Sequence, residues 1–181
     1  MKTIKIFLIL AVVTAVFVSC SKMDKKADSE INYLADAVNE YPSFVLDEAG
    51  YDMKNLKELS GLQNNIYTEG VIEYSKDGEV LALVNYADGN GMQASVEIDG
   101  EVSTIDLKSE DKGATYYKVI VQPLVKSSNC NYEIVSGIIK YYENGTNAWA
   151  ATIDFGDGTC DDLALKTTAK GDYTFKISDY L

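Results

Sequence analysis

Asp154, Asp157, Asp161 and Asp162 crowd four carboxylates around one expected turn, and calcium is the ion that such hard oxygen ligands could hold. Their spacing lacks the alternating register of a calcium loop, and Asp157 is equally explained as the Asx residue of a turn. Asp154, Asp157 and Asp161 therefore stand as a calcium candidate against the plainer turn reading, and no metal or other cofactor is expected. A carboxylate pair on neighbouring strands, such as Glu133 with Asp154, has the residue types of a glycosidase. With 28 acidic residues in 181, chance pairs are numerous, so no enzyme activity is expected from such a pair. The chain has no histidine and no arginine. That excludes Ser-His-Asp and Cys-His nucleophile systems and disfavours a catalytic zinc site. A third set is aromatic: Tyr74, Tyr86, Tyr116, Tyr117, Tyr132, Tyr141, Tyr142 and Trp149. Tyrosines on adjacent strands can stack on sugar rings or build a protein interface, and they are equally favoured as strand and core residues. The doublets Tyr116-Tyr117 and Tyr141-Tyr142 place one ring on each face of a strand. Tyr116, Tyr117, Tyr141, Tyr142 and Trp149 are accordingly the candidate ligand-binding residues.

The three cysteines divide as one and two. Residues 1–19 open with Lys2 and Lys5 and continue as an apolar stretch, 6–18, too short to span a bilayer comfortably. Phe17-Val18-Ser19-Cys20 resembles a lipobox, which implies cleavage before Cys20, lipid on its thiol and attachment to a membrane through that lipid. Cys130 and Cys160 then remain as an even pair in an exported chain, which favours a disulfide over two buried free thiols. Register gives a second argument. Asn144-Gly145 between apolar runs signals a hairpin. Pairing Glu143 with Thr146 sets Cys130 opposite Thr159, one bulge away from Cys160. A bridge closing a loop of about thirty residues contributes roughly 3–4 kcal/mol by loop-closure entropy.

These candidates need elements to position them. Residues 20–30 are polar and read as a solvated, lipidated tether. Residues 31–62 read as a short helical segment. Ile31, Leu34, Ala35 and Val38 recur at helical spacing up to Tyr41-Pro42, and two further short helices are expected at 43–49 and 53–60, stopped by Gly50 and Gly61. Their apolar stripes are expected to dock on the sheet that follows. From residue 67 the period changes to two, and strands are expected at 67–75, 80–87, 92–98, 101–107, 115–122, 131–142, 147–155, 162–168 and 172–178. Glycine joins such as Asp77-Gly78, Asp99-Gly100 and Lys170-Gly171 are short enough to force antiparallel pairing. The expected fold is mainly β: an up-and-down meander of about nine strands, closed like a barrel or split into two packed sheets, forming a single domain over 63–181. It repeats internally over 67–107 and 130–178. Gly70-Val71-Ile72-Glu73-Tyr74 matches Gly137-Ile138-Ile139-Lys140-Tyr141, and Tyr86-Ala87-Asp88-Gly89 matches Phe155-Gly156-Asp157-Gly158 after a two-residue slip.

Over 130–178 the chain resembles the repeated β-rich modules of uncharacterised Bacteroidetes lipoproteins, carried by Asn131-Tyr132-Glu133-Ile134-Val135-Ser136-Gly137 and by Ile153-Asp154-Phe155-Gly156-Asp157-Gly158-Thr159-Cys160-Asp161. The resemblance implies an outer-membrane lipoprotein on its periplasmic or cell-surface face and brings no activity with it. Asp154 to Thr159 is also similar to the loop of PKD domains, a shared turn chemistry. The formal charge of −12, or −14 without Lys2 and Lys5, repels phosphate backbones, so nucleic acid is not an expected partner. Two functions follow as expectations: a non-catalytic envelope module binding a protein or glycan, or a periplasmic carrier holding a small apolar ligand in a β-barrel cavity.

Overall fold

The computed structural model describes residues 42–62, 66–86, 92–109, 115–131 and 133–180. The chain divides into two compact units, Met1–Asn32 and Tyr33–Leu181, and the described residues belong to the second. The signal peptide expected over 1–19, Cys20, the expected tether over 20–30 and the helix expected from residue 31 lie outside the described residues, as does Tyr132.

Strands β1 (Ser43–Leu46), β2 (Asp52–Ser60), β3 (Glu69–Lys76), β4 (Glu79–Asn85), β5 (Gln93–Ile98), β6 (Glu101–Asp106) and β7 (Lys108–Ser109) lead to the long β8 (Tyr116–Ser127). A 3-10 turn over Ser128–Cys130 is followed by β9 (Glu133–Glu143), β10 (Trp149–Asp157), β11 (Leu163–Thr168), β12 (Gly171–Lys176) and a last 3-10 turn, Ile177–Asp179. They form two sheets. One has five strands in the order β2-β3-β4-β5-β6, and the other has seven, in the order β1-β8-β9-β10-β11-β12 with β7 also on β8. The described residues form no closed barrel, so the barrel form of the expected meander is corrected to two sheets. The strand count is corrected as well: the described residues form twelve strands and not nine, the expected nine being β3–β6 and β8–β12, with β8 running five residues beyond its expected end, and β1, β2 and β7 being additional.

The corrections concern the residues before 63. Residues 43–49 are not a helix: Phe44 and Leu46 are buried while Val45 between them is 39% exposed, the period of two that a strand requires. β1 pairs with β8 in parallel, Ser43 facing Leu124, an arrangement that short antiparallel joins did not suggest. Residues 53–60 are not a helix either. Met53, Leu56 and Leu59 have helical spacing, but eight residues make a marginal helix alone. β3 offers a row of backbone donors and acceptors that β2 satisfies as an exposed edge strand. Gly50 and Gly61 do adopt positive φ, +64° and +68°, in turns between strands and not at helix ends. The β unit therefore begins well before residue 63, and no α-helix occurs among the described residues.

The two meanders, β2–β6 and β8–β12, share one register. Asn55 faces Ile72 as Ile120 faces Ile139; Lys57 faces Val71 as Gln122 faces Ile138; Ser60 faces Glu69 as Val125 faces Ser136. Even the irregularities recur, between Asn55 and Lys57 and between Ile120 and Gln122. Further along, Tyr74 faces Ala82 as Tyr141 faces Ala151, and Val96 faces Ser103 as Lys166 faces Tyr173. Gly70 and Gly137 explain why the bulges stay. A Cβ on Gly70 would come within 2.9 Å of the Leu59 backbone, and one on Gly137 within 2.7 Å of the Pro123 carbonyl, both at positive φ. Pro123 sits inside β8 at this bulge, where no ladder N–H is required of it. The same face of each meander is buried, Ile72, Tyr74, Ala82, Val84 and Ala94 in the first, and Ile139, Tyr141, Ala151, Ile153 and Ala164 in the second. The first set packs with Phe44, Tyr117, Val119 and Val125 of the larger sheet in one core. The second set belongs to a separate cluster.

Candidate functional site

Tyr117, Tyr142 and Trp149 stand in one row across three strands, because Tyr117 faces Tyr142 in the β8–β9 ladder and Tyr142 faces Trp149 in the β9–β10 ladder. The Tyr117 and Tyr142 rings stack at 5.5 Å with 20° between their planes. The Lys108 ammonium lies 5.4 Å from the Tyr117 ring, a cation–π distance. Two polar contacts fix the row: the Tyr117 hydroxyl donates to Asn147 Oδ1 at 3.0 Å, and Trp149 Nε1 donates to Thr152 Oγ1 at 3.0 Å. The row runs from buried to open. Tyr117 is 9% exposed and Trp149 41%, so the indole is the accessible end. Burial, then the neighbouring Tyr117 and Tyr67 rings, push the Tyr142 hydroxyl above its ordinary range, keeping it a neutral donor at physiological pH.

The other predicted aromatics are elsewhere. Tyr141 is 1% exposed within the second core cluster, and Tyr116 is half-buried facing Glu143. The doublets do alternate between faces, which is why only one member of each joins the row. Sequence reasoning missed Asn147, Thr152 and Lys108, whose roles depend on cross-strand register and carry no motif.

A second feature is an open cleft of about 410 Å³ lined by Gly50, Tyr51, Asp52, Met53, Gln122, Ser136, Gly156, Asp157 and Thr159. The Tyr51 ring lies against Gly158, where a Cβ would come within 2.8 Å, and its hydroxyl is hydrogen-bonded to Ser136 Oγ. Gly50 N–H donates to the Gly158 carbonyl at 2.6 Å, tying the loop after β1 to the loop after β10. Gln122 Nε2 reaches Met53 Sδ at 2.7 Å across the mouth. Burial pushes the Tyr51 phenol up to about 12, and the Thr159 hydroxyl and N–H hold Asp157 below the usual carboxylate range. Neither group titrates near neutrality, where a general acid or base is most effective.

The carboxylates weighed for calcium already accept hydrogen bonds, three of them within their own turns and Asp162 from the last 3-10 turn. Asp154 accepts from Gly156 N–H at 2.9 Å, Asp157 from the Thr159 N–H and hydroxyl, Asp161 from Leu163 N–H at 3.0 Å, and Asp162 from Ser178. Among the described residues no group of three or more potential ligands is placed to hold a metal ion. The Glu133–Asp154 pair is not brought together either. Asp154 faces Ile138, while Glu133 faces Ser127 at the far end of β9, about 16 Å away at roughly 3.3 Å per residue, beyond the span of a glycosidase pair.

Cys130 and Cys160 form a disulfide with a Cα separation of 5.6 Å. The register that suggested it differs, however. Asn147 takes positive φ (+56°), and Glu143 N–H donates to the Ala148 carbonyl at 2.8 Å, so residues 144–147 form a four-residue loop. Trp149 thus faces Tyr142, and the bridge joins the 3-10 turn after β8 to the loop after β10, beyond the ladder. No protein-family model matches this chain, and neither does any curated protein or solved structure.

Proposed function

We propose that this chain is a lipid-anchored cell-envelope protein whose two-sheet domain is a non-catalytic binding or interaction module for a protein or glycan. The observation that carries the reading is the Tyr117–Tyr142–Trp149 row, with its indole open to solvent on a three-strand support. An aromatic face of this kind stacks on a sugar ring or on an apolar side chain with little loss of conformational freedom, and the Asn147, Thr152 and Lys108 polar groups beside it supply directional contacts. The anchor rests on the lipobox-like Phe17-Val18-Ser19-Cys20 and the leader before it, and the likeness of 130–178 to Bacteroidetes lipoprotein modules agrees with an outer-membrane address. A carrier needs an enclosed apolar cavity. The described residues form no closed barrel, and the 410 Å³ cleft is open and half polar in its lining, so no observation favours that alternative.

The test is retention of the purified protein on immobilised envelope polysaccharides and on immobilised envelope proteins, comparing native protein with W149A, Y142A and Y116A. Loss of retention in W149A and Y142A, with Y116A unchanged, supports the row as the binding surface. Equal retention of all four proteins overturns it.

A further inference from the structure

The open cleft and the shared core meet at one hydroxyl. Tyr74 is 0% exposed, and its hydroxyl has no hydrogen-bond partner at bonding distance. Its neighbours are the lining of the cleft. Tyr74 faces Met53 in the β2–β3 ladder, its ring meets the Tyr51 ring edge-on at 5.3 Å, and Gln122 is the polar side chain beside its hydroxyl. Met53, Tyr51 and Gln122 all line the cleft. The Gln122 amide nitrogen is turned to Met53 Sδ at 2.7 Å, which closes the lining over Tyr74. A thioether is a weak acceptor, so little is lost when that contact opens. A buried donor without a partner is destabilising, and phenylalanine would fill the same space without that loss.

The lining selects a class of ligand. It carries two carboxylates, Asp52 and Asp157, and no cationic side chain, so an anion is repelled. An ammonium ion suits the carboxylates but has no lone pair to accept the Tyr74 proton, which burial keeps on the phenol. An apolar molecule leaves the same donor unsatisfied. A hydroxyl group suits both ends, because it accepts from a phenol and donates to a carboxylate. The volume of about 410 Å³ falls within the roughly 300–1,000 Å³ of small-molecule sites, and the half-exposed Met53 offers apolar wall to the carbon face of a ring. We propose that the cleft is a second binding site, for a neutral polyhydroxylated ligand the size of one sugar ring, which displaces the Gln122 amide from Met53 and accepts from the Tyr74 hydroxyl. This site shares no residue with the Tyr117–Tyr142–Trp149 row and does not rest on that reading.

Ligand-observed saturation-transfer NMR and calorimetry on the purified full-length protein test this, with glucose, galactose, mannose and N-acetylglucosamine as probes and putrescine and citrate as cationic and anionic comparisons. At least one sugar binds saturably at millimolar concentration. Y74F weakens that binding by roughly three- to tenfold, the loss of one neutral hydrogen bond, while its urea midpoint equals or exceeds that of the native protein. Q122A, which opens the lining over Tyr74, binds at least as tightly as native. Absence of saturable binding for all four sugars overturns the proposal, as does tighter binding of putrescine or citrate. A Y74F variant that binds sugar like the native protein overturns it too, and binding lost in W149A but kept in Y74F would assign the sugar to the aromatic row instead. A clearly lower urea midpoint in Y74F would show that the hydroxyl serves the fold and is not reserved for a ligand.

Discussion

Two glycines carry the residue-scale geometry of this protein. Gly70 and Gly137 sit at equivalent points of the two meanders, each at positive φ and each pressed against the bulged neighbouring strand. Alanine at either position meets backbone strain and a backbone contact together, and we expect G70A and G137A to lose roughly 2–3 kcal/mol each in urea unfolding. Gly145 also has positive φ but nothing within 4 Å of an added Cβ, so G145A should lose about 1 kcal/mol. Equal losses at all three sites would show that the close approach contributes nothing. Carboxylates supply a second residue-scale prediction. The Ser178 hydroxyl and N–H hold Asp162 below its ordinary range, as the Thr159 hydroxyl and N–H hold Asp157. A lowered folded-state pKa contributes stability above the unfolded value of about 3.9 and loses it as pH falls through the folded value. Unfolding of the native protein between pH 5 and pH 2 should therefore show a steeper acid loss than that of D162N. Parallel curves would contradict this.

Among elements, the disulfide and the edge strands separate what the sequence disclosed from what it did not. The bridge between Cys130 and Cys160 was legible from the cysteine count together with the expected export, whereas the hairpin register behind it was not. An Asn-Gly pair points to a two-residue turn, and nothing in sequence announced that Asn147 would adopt the left-handed region and lengthen the loop. C130S/C160S should lose about 2–4 kcal/mol by closing no loop in the unfolded chain, read as a lower urea midpoint, and an unchanged midpoint would contradict that role. The nine strands from β3–β6 and β8–β12 were readable because one wet and one dry face impose a period of two. β2 was not. All but one of its residues are exposed, so burial imposed no alternation, and Met53, Leu56 and Leu59 fell by chance at helical spacing. Its counterpart β8, with Val119, Ile120, Leu124 and Val125 buried, shares its register but only one residue of its sequence, Leu124 for Leu59, which is why the repeat read from residue 67 missed its own first strand. Of the five aromatic candidates, the structure aligns Tyr117, Tyr142 and Trp149 and leaves Tyr116 and Tyr141 apart. Which three would align depended on cross-strand register.

At the scale of the whole molecule, two register-equivalent meanders make one asymmetric stack. The core face of the first is covered by the second sheet, and the core face of the second forms a separate cluster. The aromatic row lies at the rim of the shared core, where Tyr117 is buried and Trp149 is exposed. The anchoring half of the account predicts that cells fed an alkyne-tagged palmitate label the native protein and not C20S, and that C20S leaves the membrane fraction. Labelling that survives C20S would contradict lipidation at that cysteine. The binding half can be tested on the native protein without substitution, because Trp149 is the sole tryptophan in the chain and its fluorescence reports the open end of the row. Titration with soluble envelope glycans and with extracted envelope proteins should give a saturable change in intensity or wavelength for one ligand class. A ligand shown by calorimetry to bind while Trp149 emission stays constant would place recognition elsewhere and contradict the central claim.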